Sequence, residues 1–103
     1  MENKFTFYVG LNDKDSKIQE ISIIEAYKMV EKTINKYTDG CTIFEAKGIY
    51  KHQDGSVVYE NTLRIEVLFI NDEEAHAIVD EIKLKLNQES IAVSKELVIS
   101  ELW

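Results

Sequence analysis

Asp54-Gly55 separates two stretches in which apolar and polar residues alternate with period two, about 42–52 and 57–70. Such alternation marks strands with one buried face. Asp-Gly suits a two-residue type I′ turn, whose central residues both need positive φ. With Gln53 set opposite Ser56, the turn predicts every pair of the hairpin. One face carries Phe44–Ile65, Ala46–Leu63, Gly48–Asn61, Tyr50–Tyr59 and His52–Val57. The other carries Ile43–Glu66, Glu45–Arg64, Lys47–Thr62, Ile49–Glu60 and Lys51–Val58. The first face is mostly apolar and is expected to meet the helices. The second is mostly polar and sets an acid opposite the only arginine. A slip of one residue exchanges the faces of a strand, so the pattern is a sharp expectation.

The rest of the chain supplies four more elements. Phe5, Phe7, Val9 and Leu11 alternate with Thr6, Tyr8 and Gly10 as a first strand, followed by a polar loop, Asn12 to Glu20. Ser22 and Glu25 form a capping box ahead of a stripe at Ile23, Ala26, Tyr27, Val30, Ile34 and Tyr37. Asp39-Gly40 is expected to end that helix, with Gly40 left-handed. Asn71 begins a second helix whose first turn is acidic, with a stripe at Ala75, Ile78, Val79, Ile82 and Leu86. In the segment 90–103, Ile91, Val93, Leu97 and Ile99 share a parity with Lys95, which predicts a bulge near Lys95 or two pieces. The order strand, helix, strand, strand, helix, strand closes with right-handed crossovers as a ferredoxin-like α+β fold. Its antiparallel sheet is ordered 4-1-3-2, and both helices lie on one face.

Composition narrows the functional classes. The chain of 103 residues suits one domain. Nineteen acidic residues against twelve basic ones give a net charge of −7, which disfavours nucleic acid and anionic membranes as partners. Cys41 is the single cysteine, so no internal disulfide forms. With no signal-peptide pattern, a cytoplasmic location is expected. No apolar run reaches the roughly 20 residues of a membrane span. Asp13-Lys14-Asp15 lacks the later ligands of a calcium loop. His52 and His76 read as solvated, and Cys41 has no histidine near it in sequence, so no catalytic residue, metal site or cofactor is assigned.

The topology brings the end of the first strand, the hairpin and the start of the first helix to one edge. Gly10, Asn12, Tyr50, His52, Tyr59 and Asn61 are expected there, near Ser22. Paired tyrosines can stack on a planar ligand, an amide beside the Gly48 gap can line a cavity, and a helix N-terminus can receive an anion. The candidate ligand-binding residues are Asn12, Tyr50, His52, Tyr59 and Asn61. Lys47 and Arg64 join them as ligand-binding candidates, and Lys14, Lys17, Lys47, Lys51 and Arg64 are the cations available to a phosphate. The same residues also have structural uses: an aromatic cross-strand pair, an amide bonded to the loop, an ion pair between Glu45 and Arg64.

Five short motifs carry a resemblance: Tyr8-Val9-Gly10-Leu11, Asp39-Gly40-Cys41-Thr42, Ala46-Lys47-Gly48-Ile49-Tyr50, Asp54-Gly55 and Glu60-Asn61-Thr62. Over residues 5–68 the chain resembles domain-of-unknown-function family 3574. It departs from that family in having no proline before Asp39-Gly40. The resemblance implies the fold and the importance of those glycines and tyrosines, and it lends no activity. Lean relatives of this kind are similar to small phage and mobile-element proteins, some of which sequester nucleotide-like immune messengers as oligomers. The leading expectation is therefore a non-catalytic module that binds a small, nucleotide-like ligand as a homodimer or higher oligomer. Two alternatives stand beside it. One is a cofactor-free enzyme of the dimeric α+β-barrel type, with His52 or a tyrosine as acid–base group. The other is an adaptor that binds protein through the sheet face the helices leave bare.

Overall fold

A computed structural model describes residues 1–51 and 54–103, with the side chain of Tyr50 also outside the described set. The elements are β1 (Glu2–Gly10), α1 (Ile23–Ile34), β2 (Thr42–Lys51), β3 (Val57–Leu68), α2 (Asp72–Lys85) and β4 (Ala92–Val98). The four strands form one antiparallel sheet in the order β2-β3-β1-β4. This is the ferredoxin-like arrangement, with both helices on one face. The core lies between them. Phe5, Phe7 and Val9 of β1 and Leu63, Ile65 and Val67 of β3 meet the stripe Ala26, Val30 and Ile34 of α1 and Ala75, Ile78 and Ile82 of α2. Burying side chains of this size contributes about 1.5–3 kcal/mol each before the opposing entropy. Among the described residues no helix is long and apolar enough to cross a membrane.

Both helices start as their sequences require. The Ser22 hydroxyl accepts the Glu25 N–H at 3.1 Å. Asn71 and Glu74 complete a reciprocal capping box, at 2.7 and 3.0 Å. The end of α1 differs from expectation. It stops at Ile34, the cap is Asn35, and Gly40 does not have positive φ. The turn at 35–37 already uses up the free carbonyls, with Tyr37 N–H bonded to Ile34 O, so no left-handed glycine is required. β4 is one regular strand. Lys95 keeps its parity because it has partners there: its ammonium sits over the Phe5 ring and 2.8 Å from Asp72 Oδ1.

The hairpin is one residue out of the predicted register. Ile43 lies opposite Ile65, Phe44 opposite Arg64, Lys47 opposite Asn61, Gly48 opposite Glu60, Ile49 opposite Tyr59 and Tyr50 opposite Val58. The last pair is Lys51–Val57, so the connection is five residues and not a two-residue type I′ turn. Asp54 Oδ1 accepts from the Ser56 N–H at 2.9 Å and from the Ser56 hydroxyl at 2.6 Å, and among the described residues of the turn Gly55 alone is left-handed, at φ +93°. Such an Asx turn needs a single positive φ, which frees the longer loop to set the register. β3 keeps its expected faces, whereas β2 is turned over. Ile43 packs on the core and Phe44 stands on the bare face with the Arg64 guanidinium 5.0 Å from its ring. The expected Glu45–Arg64 ion pair therefore does not form, and Arg64 bonds Glu66 at 2.5 Å instead.

The same register leaves part of the hairpin without neighbours. β1 pairs with β3 from Thr62 to Leu68, and the Leu11 N–H reaches Asn61 O at 2.9 Å, so residues 57–60 pair with β2 alone. The molecule is accordingly elongated, with extents of 46 × 25 × 22 Å. This arm bares Ile49 and its cross-strand partner Tyr59, 65% and 69% exposed, and Val57 beside them.

Candidate functional site

The base of the arm is where polar groups converge. β1 ends at Gly10, and the chain turns away through Asn12, which bridges back to Gln19 just before α1. Asn61, the last β3 residue before β1 takes over as neighbour, faces this turn. Its Nδ2 donates to Gln19 Oε1 at 2.8 Å, and its Oδ1 accepts from the Lys47 ammonium directly across the ladder. Gln19 in turn donates to Ile21 O at 2.8 Å, so the network ends one residue before the Ser22 cap. Lys47 and Asn61, with Leu11, Ile23, Glu45 and Thr62, line a cavity of about 140 Å³.

Asn12 belongs to the same edge through its backbone. Its N–H donates to Glu60 Oε2 at 3.1 Å, and its carbonyl accepts from Gln88 Nε2 at 2.7 Å. The 12–20 loop is fixed from the other side by Asn87, whose Nδ2 bonds Asp13 Oδ1 at 2.8 Å and Asp15 Oδ2 at 2.9 Å. Backbone N–H donation from Ser16, then the Asn87 amide, holds the Asp13 carboxyl below its ordinary value of 3.8.

Of the sequence-predicted residues, the structure brings Asn12, Lys47 and Asn61 together. Tyr59 stands further out on the arm, on the same face as Asn61. Tyr50 and Tyr59 are not cross-strand partners, because the register pairs them with Val58 and Ile49. His52 lies outside the described residues, as does the Tyr50 side chain. Arg64 is spent on Glu66 and Phe44 on the bare sheet face. Asn61 faces Lys47 and not a glycine gap. Glu60 is the residue that sequence reasoning passed over. A Cβ on Gly10 would collide with its carboxylate, and a Cβ on Gly48 would sit 2.7 Å from Thr62 Oγ1 and 3.5 Å from Glu60 Cγ. The sequence register hid it by setting Gly48 opposite Asn61; the observed register puts Gly10 and Gly48, in the two strands that flank β3, on the face that Glu60 shares.

A larger concavity, about 1000 Å³, lies at the opposite end between the α1–β2 connection and the chain's last residues. One wall is the extended tail, with Leu102 90% exposed, so much of the volume is open space beside an unpacked segment. Burial, then the Glu31 charge, pushes the Cys41 thiol there above its ordinary range, away from nucleophilic use. His76 is exposed on α2. The arm base, with its converging donors and acceptors, is the better candidate.

Comparison with known proteins places the fold and the family. A phage S-adenosylmethionine lyase in complex with S-methyl-5′-thioadenosine superposes with a TM-score of 0.73 at 20% identity, over 92% of this chain and 80% of that one. The periplasmic divalent cation tolerance protein CutA from Archaeoglobus fulgidus gives 0.66 at 16% identity, over 99% and 88%. The adenosylmethionine decarboxylase from Aquifex aeolicus gives 0.51 at 15% identity, over 99% and 96%. Identities this low speak for the fold alone. No curated protein matches in sequence. A family profile, however, matches residues 4–100, beyond the 5–68 span of the motifs and through α2 and β4, and the chain therefore belongs to DUF3574, a family of proteins of unknown function.

Proposed function

We propose that this protein binds a small adenosine-bearing ligand at the base of the arm, in a site that a second copy of the chain completes. One observation carries the reading. The small cavity beside Asn61 and Lys47 holds about 140 Å³, whereas sites for ligands of nucleoside size occupy about 300–1,000 Å³. It opens beside an arm whose Ile49, Val57 and Tyr59 are bare. A half-site next to an uncovered apolar surface is what an interface-bound ligand needs. Two of the similar folds bear on the ligand class, since one is named as a lyase and the other as a decarboxylase of adenosylmethionine. The finest form of this reading is sequestration of a nucleotide-like messenger by a phage or mobile-element protein. Lys47 then offers the charge for a phosphate, and the aromatic Tyr59 a stacking surface.

The test is calorimetry of the purified protein against S-adenosylmethionine, 5′-methylthioadenosine, cyclic nucleotides and ADP-ribose derivatives. Saturable heat from a member of this panel, lost in Asn61→Ala, is the expected result. Absence of heat from every member would reject the ligand class.

A further inference from the structure

Two sets of groups lack partners inside the fold, and they lie at opposite ends of it. The first is the free edge of the arm. Beside β3, β1 ends at Gly10, opposite Thr62, and the Leu11 N–H makes the last bond, to Asn61 O. In an antiparallel ladder a residue directs its N–H and C=O to one side, and successive residues alternate. Val57 and Tyr59 share the direction of Asn61, so their backbone groups point into the slot that β1 leaves vacant, while Val58 and Glu60 face β2. Among the described residues no backbone hydrogen bond enters that slot beyond Asn61. The side chains beside it, Val57, Tyr59 and the cross-strand Ile49, are bare. Edge strands are normally guarded by charge, proline or a bulge. The edge strand β4 carries Lys95 and Glu96, whereas Val57-Val58-Tyr59 carries no charge. The second set is the tail. Ile99, Leu102 and Trp103 are largely exposed, and residues 99–103 lie beyond β4 with no backbone hydrogen bond among the described residues. This tail cannot reach its own arm. β4 runs antiparallel to β1 and brings Val98 beside Glu2, so the tail leaves the sheet a strand's length from Gly10, about 27 Å. Residues 99–103 span about 17 Å fully extended.

We propose that the tail of one copy, residues 99–103, adds as a short strand in the slot beside residues 57–60 of a second copy, and brings its apolar side chains against Ile49, Val57 and Tyr59. The proposal rests on the reading above that a second copy completes the site, and it needs no ligand. The free edge is about 13 Å long, a length the tail can fill. Strand addition satisfies the backbone groups of both segments at once, and the side chains beside the edge select the occupant. The contact joins unlike surfaces, so a closed assembly repeats it until every arm is covered by a neighbour's tail. Pairing arm to arm would leave every tail bare.

Trp103 is the only tryptophan, so its fluorescence reports where the tail lies. Ile49→Asp with Tyr59→Asp alters the arm, at the far end of the same chain. Leu102→Asp with Trp103→Asp alters the tail and removes the fluorophore. All four positions are exposed, so both variants are expected to fold. Wild-type emission is expected to be blue-shifted at high concentration and to move red on dilution, whereas the arm variant stays red throughout. Each variant should weaken self-association in sedimentation equilibrium by about a hundredfold or more. Adding the tryptophan-free tail variant to the arm variant should restore the blue-shifted emission, because an intact tail again meets an intact arm. A tail variant that associates like the wild type, or a mixture whose emission stays red, overturns the proposal and leaves a site built between copies standing. Blue-shifted emission from the arm variant alone also overturns it, since the tail then packs on its own copy. A wild type that is monomeric at every concentration overturns both readings.

Discussion

Gly10 and Glu60 show how one side chain can dictate the identity of another on the neighbouring strand. Adding a methyl at Gly10 must push the Glu60 carboxylate aside and strip Asn12 N–H of its acceptor. Gly10→Ala is therefore expected to cost about 1 kcal/mol in urea denaturation. In a Glu60→Ala background the same change should cost nothing or stabilise slightly, because only the strand preference for alanine over glycine remains. A second residue-scale prediction concerns acid. Lys36, at 2.7 Å, is the main reason the Glu81 carboxyl falls from an ordinary 4.5 to about 2; Thr33 and Lys85 add to it. A carboxyl lowered in the folded state contributes its full stability above pH 4.5 and loses it between pH 4.5 and about 2. Glu81→Gln should accordingly melt below the wild type at pH 7 and converge with it near pH 2, as thermal scans across that range would register.

At the scale of elements, the hairpin decides which side chains reach the site. Both faces of β3 were legible because β3 is flanked by strands on both sides along the core, and its odd residues Leu63, Ile65 and Val67 are buried. β2 was not legible in the same way. It is an edge strand, and of its described side chains only Ile43 packs on the core, so Glu45 and Lys47 share the helix-side face beyond the helices' cover and blur the alternation. The Asp-Gly signal then favoured the shorter turn, and the shift carried Phe44 and Gly48 to the wrong side. The order of elements, both helix starts and the Asn12–Asn61 edge were readable, since they rest on capping and topology. Glu60 was not, because a charge on a strand reads as solvated until its neighbours are known. The left-handed Gly55 gives a direct check on the observed turn. Gly55→Ala should lower stability by about 1 kcal/mol, whereas Gly40→Ala, with open space around the Cβ and no positive φ, should change little.

The whole molecule ends in an arm that its own fold does not cover. A two-stranded hairpin is marginal alone in water, and this one exposes Ile49, Val57 and Tyr59 on one side. The tail adds Ile99, Leu102 and Trp103, all largely exposed. Covering the arm with a second copy would hide apolar surface and enlarge the small cavity at its base in one step. The wild type is expected to be oligomeric in light scattering and Ile49→Asp combined with Tyr59→Asp a folded monomer, because both positions lie outside the core. The most direct measurement is native mass spectrometry of the wild-type protein with and without 5′-methylthioadenosine. A closed oligomer that takes up the ligand in proportion to its subunits, and a double-aspartate variant that is monomeric and takes up none, is the predicted outcome. A wild-type monomer that binds the ligand as well as the variant does would contradict a site built between copies.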